Sequence, residues 1–364
     1  MNTYKLLTPG PLTTTSTVKQ EMLVDRCTWE ADYKEITQKI RNQLLDLAYA
    51  ANGEYTAVLM QGSGSFVVES VLTTALSKSD KVLIITNGAY GKRMVKMAAY
   101  MGLRHREYGV EYNEFPKEAE IRSILLEDRD ITHIAMVHCE TTTGILNPIE
   151  MVSKITKEHG KTLIIDAMSS FGGVDMNVAE LGIDYLISSA NKCIQGIPGF
   201  GFVIAKLDEL TACEGNARSL SLDLYDQWKE MDKDGKWRFT SPTHVVAAFA
   251  KALEELAEEG GISARFARYK ANNDRLRKLM GQWGIHAYIA PEKQSPIITT
   301  FLFPTETFDF EDFYKFIKMN GYVIYPGKLT DMDTFRIGNI GEIHKEDIEE
   351  LGRIVEKYMK VVTV

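Results

Sequence analysis

The chain has few cysteines and few histidines, and neither type is arranged to bind a metal. Its four cysteines, Cys27, Cys139, Cys193 and Cys213, are widely separated and form no CxxC pair. The seven histidines include no HxH or HxxxH pair. Zinc and similar metals need closely spaced ligands of these types, so we expect no metal site. Unpaired thiols are typical of the reducing cytoplasm, where we expect the protein to work.

The chain also lacks an excess of basic residues and any long apolar run. It has 42 lysines and arginines against 50 aspartates and glutamates, and its formal net charge is −8. This balance disfavours binding to nucleic acid or to an anionic membrane surface. No apolar run reaches membrane-spanning length, and the first residues lack a signal-peptide pattern. We therefore expect small-molecule partners only, and an anionic substrate would need local positive groups.

Short apolar runs alternate with helical segments between about residues 16 and 210. Most of these runs are rich in isoleucine, leucine and valine without polar alternation, which is typical of strands covered on both faces. Helical segments between them, such as 65–77 and 93–101, indicate crossover connections. The pattern predicts an α/β fold with a mostly parallel sheet. The predicted strands are 56–60, 81–86, 133–138, 162–166, 185–188 and 201–205.

The rest of the chain predicts a second, smaller unit. A strongly helical stretch covers residues 245–281, and a chain of 364 residues exceeds the size of one small core. Strands and amphipathic helices then alternate, which indicates a small α+β domain. Its predicted strands are 298–303, 322–325 and 334–337, and its predicted helices are 311–319 and 345–360.

A carboxylate and a lysine follow two strands that we expect to be neighbours. Asp166 ends the strand 162–166, and Lys192 comes shortly after the strand 185–188. Pyridoxal phosphate chemistry requires such a pair, because the lysine binds the cofactor covalently and the carboxylate keeps the pyridine nitrogen protonated. Taken singly, Asp166 is better explained as a helix N-cap, and Lys192 is similarly explained as a solvated lysine. Their joint placement favours a cofactor site.

A glycine–serine loop follows the strand 56–60 and opens a helical segment. Gly62, Ser63, Gly64 and Ser65 allow close approach of an anion to the backbone, and the helix N-terminus offers free N–H groups. A single phosphate would suit this loop, although a tight strand-to-helix turn is the alternative. The third glycine of a dinucleotide-binding motif and the lysine of a P-loop are absent, which disfavours NAD and ATP.

Three more residues are candidates for the same site. Tyr90 follows the strand 81–86 and can stack on a pyridine ring, or else pack as a turn residue. Thr141 lies in a threonine-rich segment, 140–144, whose hydroxyls can bond a phenolic oxygen or cap a helix. Arg336 lies inside a predicted strand with apolar neighbours and needs an anionic partner, either a carboxylate of the protein or a substrate anion.

With these motifs, the chain resembles the class V, fold type I pyridoxal phosphate aminotransferases, and among them the members that act on aminophosphonates. The resemblance runs from residues 7–12 to residues 335–341. Cysteine desulfurases share the fold but carry a histidine before the lysine, where this chain has Asn191. The most specific motifs are residues 59–65, 138–144, 165–173, 186–196, 219–225 and 237–244.

The resemblance implies a fold, an assembly and an activity. It implies a large domain at residues 16–255 with a mostly parallel seven-stranded sheet, and a small domain made of residues 1–15 and 256–364. It implies a homodimer with shared active sites and pyridoxal 5′-phosphate as cofactor. The implied reaction moves the amino group of 2-aminoethylphosphonate to pyruvate. A sister activity of the alanine or serine–glyoxylate type is the alternative, and a non-catalytic nucleotide-binding protein is the rival from another class.

The resemblance also implies a role for each candidate residue. Lys192 binds the cofactor and moves the proton, and Asp166 bonds the pyridine nitrogen. Tyr90 stacks on the ring, Thr141 lies near its phenolic oxygen, and Arg336 binds the substrate anion. Gly10, in the loop 9–11, lines the pocket with backbone donors. The phosphate is held by Ser63, Gly64, Ser65 and, from the neighbouring subunit, Thr240.

Overall fold

The computed structural model describes residues 4–327, 329 and 332–362. Fourteen strands in this part of the chain form one large sheet and three small ones. The strands are β1 Lys5–Leu6, β2 Tyr55–Gln61, β3 Lys81–Thr86, β4 Arg104–Gly109, β5 His133–Val137, β6 Cys139–Glu140, β7 Ile145–Leu146, β8 Thr162–Asp166, β9 Tyr185–Ser189, β10 Phe200–Lys206, β11 Ile298–Leu302, β12 Tyr322–Val323, β13 Tyr325–Pro326 and β14 Thr334–Gly338.

Helices connect most of these strands. The predicted helical stretch 245–281 is two helices, because Gly260 and Gly261 have φ angles of 106° and 77°, which end one helix and start the next. The helices are α1 Ser16–Gln20, α2 Ala31–Leu47, α3 Gly64–Ala75, α4 Ala89–Tyr100, α5 Glu118–Glu127, α6 Ile149–Glu158, α7 Val178–Leu181, α8 Leu207–Thr211, α9 Leu224–Asp234, α10 Thr243–Glu259, α11 Gly261–Gly281, α12 Phe310–Met319 and α13 Lys345–Val362.

The large sheet has seven strands in the order β2-β10-β9-β8-β5-β3-β4. Strand β10 runs antiparallel to both of its neighbours, β2 and β9. The other six strands of the sheet are parallel to one another. This arrangement confirms the predicted α/β class and the mostly parallel seven-stranded sheet. Since parallel strands end at one edge, the loops after β2, β3, β5, β8 and β9 come together there.

The sheet separates two hydrophobic cores. Along β3, Leu83 and Ile85 belong to one core, whereas Val82 and Ile84 belong to the other. All four side chains are buried. Burying such a side chain contributes about 1.5–3 kcal/mol, so both faces of the strand stabilise the fold. This double burial is the reason why the predicted strands show no polar alternation.

One strand of the large sheet, β4, was not predicted from the sequence. It reads Arg104-His-Arg-Glu-Tyr-Gly109, and most of its side chains are exposed or half-buried. It pairs with β3 alone, at the edge of the sheet. Charged side chains are common on edge strands because they discourage pairing with another chain. The apolar signal used for the other six strands is therefore missing.

The last part of the chain folds around a three-stranded antiparallel sheet, β11-β14-β13. Phe301, Phe313 and Phe335 are fully buried in its core, and the rings of Phe301 and Phe335 lie 5.7 Å apart between centroids. The start of the chain joins this region, because β1 pairs with β12 and Lys5 Nζ lies 2.7 Å from an Asp347 carboxylate oxygen. Strand β1 is therefore anchored next to the last helix.

Candidate active site

A cavity of about 570 Å³ opens at the edge where the parallel strands of the large sheet end. Open α/β sheets bind their ligands at this edge. The sequence placed seven of its candidate residues at or after the ends of β2, β3, β5, β8 and β9, and the structure brings these seven to this one cavity, whereas Arg336 lies outside its lining. Those that line it are Ser63, Gly64, Ser65, Tyr90, Thr141, Asp166 and Lys192.

Lys192 lies three residues beyond the end of β9 and is half-buried at the cavity wall. Its Nζ donates a hydrogen bond to the carbonyl oxygen of Pro9 at 2.6 Å. Burial lowers the pKa of this amine from its ordinary value, and the negative charge of Asp166 partly opposes that effect. An amine with a lowered pKa is more often neutral, and only the neutral form attacks a carbonyl group or accepts a proton.

The loop 9–11 near the start of the chain covers Lys192, which the loop after β9 carries. Gly10 has a φ of 102°, a region that favours glycine. A Cβ atom at this position would lie 2.8 Å from both the carbonyl oxygen of Asn191 and Cδ of Lys192. Gly10 is outside the lining of the cavity, whereas the adjacent Pro11 is part of it. The close approach of this backbone to the lysine therefore depends on a glycine.

Asp166 is the last residue of β8 and is 6% exposed. Its Oδ1 accepts a hydrogen bond from the backbone N–H of Met168 at 2.9 Å, so it caps a turn rather than a helix. Burial raises the pKa of this carboxyl to about 6. A buried carboxylate of this kind gains from a cationic ligand, because the ligand replaces the lost hydration. Asp166 is therefore suited to a protonated ring nitrogen.

The glycine–serine loop lies between β2 and α3. Ser63 is the residue that precedes α3, and its side chain makes no capping hydrogen bond to the helix. The first N–H groups of α3 can thus meet an anion, and the helix dipole favours negative charge there. A Cβ atom at Gly64 would lie 2.5 Å from Met168 Cε, so glycine is needed for the Met168 side chain to pack against this turn. This geometry fits the predicted single phosphate.

Tyr90 lies in the first turn of α4 and is half-buried. The guanidinium carbon of Arg93 lies 4.8 Å from the centroid of the Tyr90 ring, and Arg93 Nη1 donates to Ser65 Oγ at 3.3 Å. Arg93 also lines the cavity. Sequence reasoning missed this arginine, although its spacing of three residues from Tyr90 places both on one helix face.

Arg336 lies in the middle of β14 and is 3% exposed. Its Nη1 donates to the carbonyl oxygen of Thr141 at 3.1 Å, and its Nε donates to the carbonyl oxygen of Pro326 at 3.0 Å. Burial lowers the pKa of Arg336, while the hydroxyl groups of Tyr90 and Tyr325 act in the opposite direction. Within the described part of the chain, no carboxylate forms an ion pair with it.

Thr240 does not reach this cavity within its own chain. It is exposed, three residues before α10, and its neighbour Phe239 is 47% exposed. The sequence-based expectation is a role in the site of a second subunit, which a single chain does not test.

Among residues 4–327, 329 and 332–362, no group of three or more His, Cys, Asp or Glu side chains is arranged to bind a metal ion.

Comparison with known proteins identifies the family. The family described as aminotransferase class-V matches residues 24–340. The chain belongs to the class-V aminotransferase family. A relative of this class-V aminotransferase from Lysinibacillus sphaericus (strain C3-41) is 64% identical over 361 residues, covers 99% of both chains, and is named 2-aminoethylphosphonate–pyruvate transaminase. A relative from Bacillus cereus, with the same name, is 55% identical over 364 residues and covers 100% of this chain and 99% of its own.

A solved structure shows that the fold of this class-V aminotransferase is shared. The alanine–glyoxylate aminotransferase from Nostoc sp. superposes with a TM-score of 0.90 at 24% identity, over 98% of this chain and 95% of its own. The structural likeness confirms the predicted fold. As a class-V aminotransferase, the protein is an enzyme, and the cavity beside Lys192 is its candidate active site.

Proposed function

We propose that this aminotransferase moves the amino group of 2-aminoethylphosphonate to pyruvate, with pyridoxal 5′-phosphate as cofactor, giving phosphonoacetaldehyde and L-alanine. The observation that carries the proposal is the full-length identity of 64% to a relative of that name. The pairing of Lys192 with Asp166 in one cavity supports the cofactor. The sister activity of the alanine or serine–glyoxylate type has less support, since the similar structure of that kind is only 24% identical.

The cavity has a suitable group for each part of pyridoxal phosphate. Ser63, Gly64 and Ser65 would hold the phosphate at the N-terminus of α3. Asp166 would bond the pyridine nitrogen, because this carboxyl is buried and has one oxygen already fixed by Met168. The two remaining contacts are with the ring itself: Tyr90 would stack on its face, and Thr141 would lie near its phenolic oxygen.

Lys192 would bind the cofactor covalently and afterwards carry the proton. When bound, the cofactor would supply an electron sink for the carbon that bears the amino group of the substrate. Lys192 Nζ would take the proton from that carbon and later give it up again. Burial lowers the pKa of Lys192, which makes the neutral amine available for this task. The Pro9 carbonyl would orient the amine between the two positions.

Arg336 would bind the substrate anion, a phosphonate in one half of the reaction and a carboxylate in the other. A guanidinium group matches both anions with two parallel hydrogen bonds. Two features of its setting support this role. Its described neighbours include carbonyl oxygens and aromatic rings but no paired carboxylate, and it contacts Thr141, which lines the cavity. An anion would therefore satisfy a buried cation.

For the assembly, the domains and the location, we propose what the sequence resemblance implies. We propose a homodimer in which Thr240 completes the phosphate site of the neighbouring subunit, since Thr240 and Phe239 are exposed in a single chain. We propose residues 16–255 as the large domain and residues 1–15 and 256–364 as the small one. We propose a cytoplasmic enzyme, supported by its four free thiols. None of the helices in the described residues is long and apolar enough to cross a membrane.

The visible spectrum of the purified protein tests the proposal. We expect a yellow band after addition of pyridoxal phosphate, bleaching by 2-aminoethylphosphonate, and return of the colour on addition of pyruvate. Bleaching by L-serine or L-alanine but not by the phosphonate would assign the enzyme to a sister activity. A protein that stays colourless would contradict the cofactor and favour a nucleotide-binding protein instead.

A further inference from the structure

Glu140 is a buried carboxylate beside the candidate active site that the proposed reaction does not use. It ends β6 and is fully buried. Its Oε2 accepts hydrogen bonds from the backbone N–H groups of Tyr90 at 3.0 Å and Gly91 at 3.1 Å. Its Oε1 accepts from the N–H of Thr142 at 3.0 Å and from the Thr142 hydroxyl at 2.6 Å. Each oxygen thus has two donors.

The hydrogen-bond pattern indicates that Glu140 is ionised. Three of its four neighbours are backbone N–H groups, which only donate. The fourth, the Thr142 hydroxyl, accepts from the N–H of Ala89 at 3.0 Å and donates to Glu140. A proton on Oε2 would point at two backbone N–H groups that cannot accept it. Burial raises the pKa of this carboxyl, and the four donated hydrogen bonds oppose that rise.

The carboxylate joins two segments that carry proposed ligands. One is the N-terminus of α4, with Tyr90; the other is the turn after β6, with Thr141. The carbonyl of Thr141 in turn accepts the hydrogen bond from Arg336. Glu140 is thus the common contact of the segments that would hold the cofactor ring and the substrate anion.

The N-terminus of α4 is bound by a side chain from a distant part of the chain, unlike two other helices. α9 and α12 are capped by Asp223 and Asp309, the residues directly before them. α4 is instead preceded by Gly88, and Glu140 lies 50 positions from Tyr90. A Cβ atom at position 88 would lie 2.2 Å from Cγ of Glu140. A local cap would serve the helix alone, whereas Glu140 also fixes the Thr141 turn.

We propose that Glu140 is a positioning residue for the cofactor, whose carboxylate fixes the Tyr90 ring and the Thr141 turn relative to each other. The inference rests on the proposed function, because it concerns the ligands of that cofactor. It gives the buried charge a function besides stability. A negative charge at the N-terminus of α4 also favours the helix, so stability and function need separate measurements.

Glu140→Gln is the most informative substitution because it keeps the shape and removes the charge. In either orientation, the amide NH₂ meets at least one backbone N–H that cannot reverse, at Tyr90 and Gly91 or at Thr142. The lost acceptor loosens one of the two segments. Glu107→Gln is the matched control: Glu107 accepts from Thr86 at 2.6 Å and pairs with Lys92, outside the lining of the cavity.

The experiment compares the dissociation constant for pyridoxal phosphate, the absorption maximum of the loaded protein and the rate of the single half-reaction with 2-aminoethylphosphonate. For Glu140→Gln we expect a dissociation constant raised at least about tenfold, a shifted maximum and a rate at least about tenfold lower. Glu107→Gln should match the wild type in all three. Thr142→Val should change them in the same direction by a smaller factor, and Thr142→Ser should restore them.

The inference is wrong if Glu140→Gln and Thr142→Val keep the affinity, maximum and rate of the wild type, even if their melting temperatures fall. If Glu140→Gln does not fold, as judged by circular dichroism, Thr142→Val against Thr142→Ser decides. Failure of the proposed function looks different. A wild type that binds the cofactor but rejects the phosphonate contradicts the substrate, while the cofactor affinities of the variants still decide the role of Glu140. A wild type that binds no cofactor overturns both.

Discussion

The side-chain nitrogen of Lys192 lies 2.6 Å from the carbonyl oxygen of Pro9, which comes 183 positions earlier in the chain. The segment with Pro9 is held by the pairing of β1 with β12 and is therefore anchored in the C-terminal part of the fold. The Lys192 amine, which the large sheet carries, thus donates to Pro9, whose position depends on the C-terminal part of the fold. Changes in that segment should affect the lysine directly.

Gly10→Ala tests this contact. The new Cβ would lie 2.8 Å from Cδ of Lys192, so we expect slower binding of pyridoxal phosphate and a kcat at least about tenfold lower. Gly53→Ala is the control, because Gly53 has a similar φ of 87° and nothing within 4 Å of the added atom. Both variants should lose about 1 kcal/mol of stability from the strained backbone. Equal activity of the two would contradict the steric explanation.

The raised pKa of Asp166 predicts a pH-dependent stability of the cofactor-free protein. The pKa of the Asp166 carboxyl is about 6 in the folded state against an ordinary value of 3.8, so the folded state binds the proton more tightly. This contribution is fully present below pH 3.8 and is lost as the pH rises through 6. Two pKa units correspond to roughly 3 kcal/mol.

Asp166→Asn should therefore be more stable than the wild type at pH 8, by about 2–3 kcal/mol, and equally stable near pH 4. Urea unfolding of both cofactor-free proteins at the two pH values measures this difference. The same variant should have lost its transaminase activity, because a neutral amide does not keep the ring nitrogen protonated. A variant destabilised at pH 8 would show that the carboxylate is better stabilised than its burial indicates.

Arg93 predicts a difference between cofactors with and without a phosphate. Its Nη1 reaches Ser65 of the proposed phosphate loop, so Arg93→Ala should weaken pyridoxal phosphate binding by roughly 10- to 100-fold. Binding of pyridoxal, which has no phosphate, should hardly change. Lys92→Ala removes a neighbouring charge that pairs with Glu107 and should alter neither affinity. Equal losses for both ligands would mean that Arg93 acts through the Tyr90 ring.

Arg336→Lys tests the anion site. Lysine keeps the charge but loses the two-pronged geometry, so kcat/KM should fall by roughly 10- to 100-fold for 2-aminoethylphosphonate and for pyruvate. The affinity for pyridoxal phosphate should stay within about twofold, because Arg336 lies outside the lining of the cavity. Normal kinetics with both substrates would rule out this role for Arg336.

The sequence predicted those parts of the fold that are buried on both sides. Six strands of the large sheet are apolar runs, because their side chains pack into a core on each side of the sheet. Leu83 and Ile84, for example, are buried in different cores. β4 was missed, since an edge strand with charged side chains has no such signal. The sequence predicts one helical stretch at 245–281, because the residues on both sides of Gly260 and Gly261 have a helical pattern. The break between the two helices depends on the positive φ angles of these two glycines.

The site was predictable where strand ends bring residues together, and less so where long-range contacts do. Asp166, Lys192 and Ser63 follow parallel strands, and topology alone places them at one edge. Glu140 lies inside the motif 138–144, but its role depends on N–H groups of α4 that no sequence pattern connects to it. The contact of Pro9 with Lys192 is of the same kind.

The pairing of β1 with β12 has a consequence for the making of the protein. Lys5 leaves the ribosome early, but Asp347, whose carboxylate accepts its hydrogen bond, is 342 positions away and is translated near the end. A nascent chain can therefore assemble the large sheet while its first strand still has no neighbour. The Pro9 carbonyl reaches the lysine only when translation is almost complete. Chains that stop before β12 should contain the lysine but lack its cover.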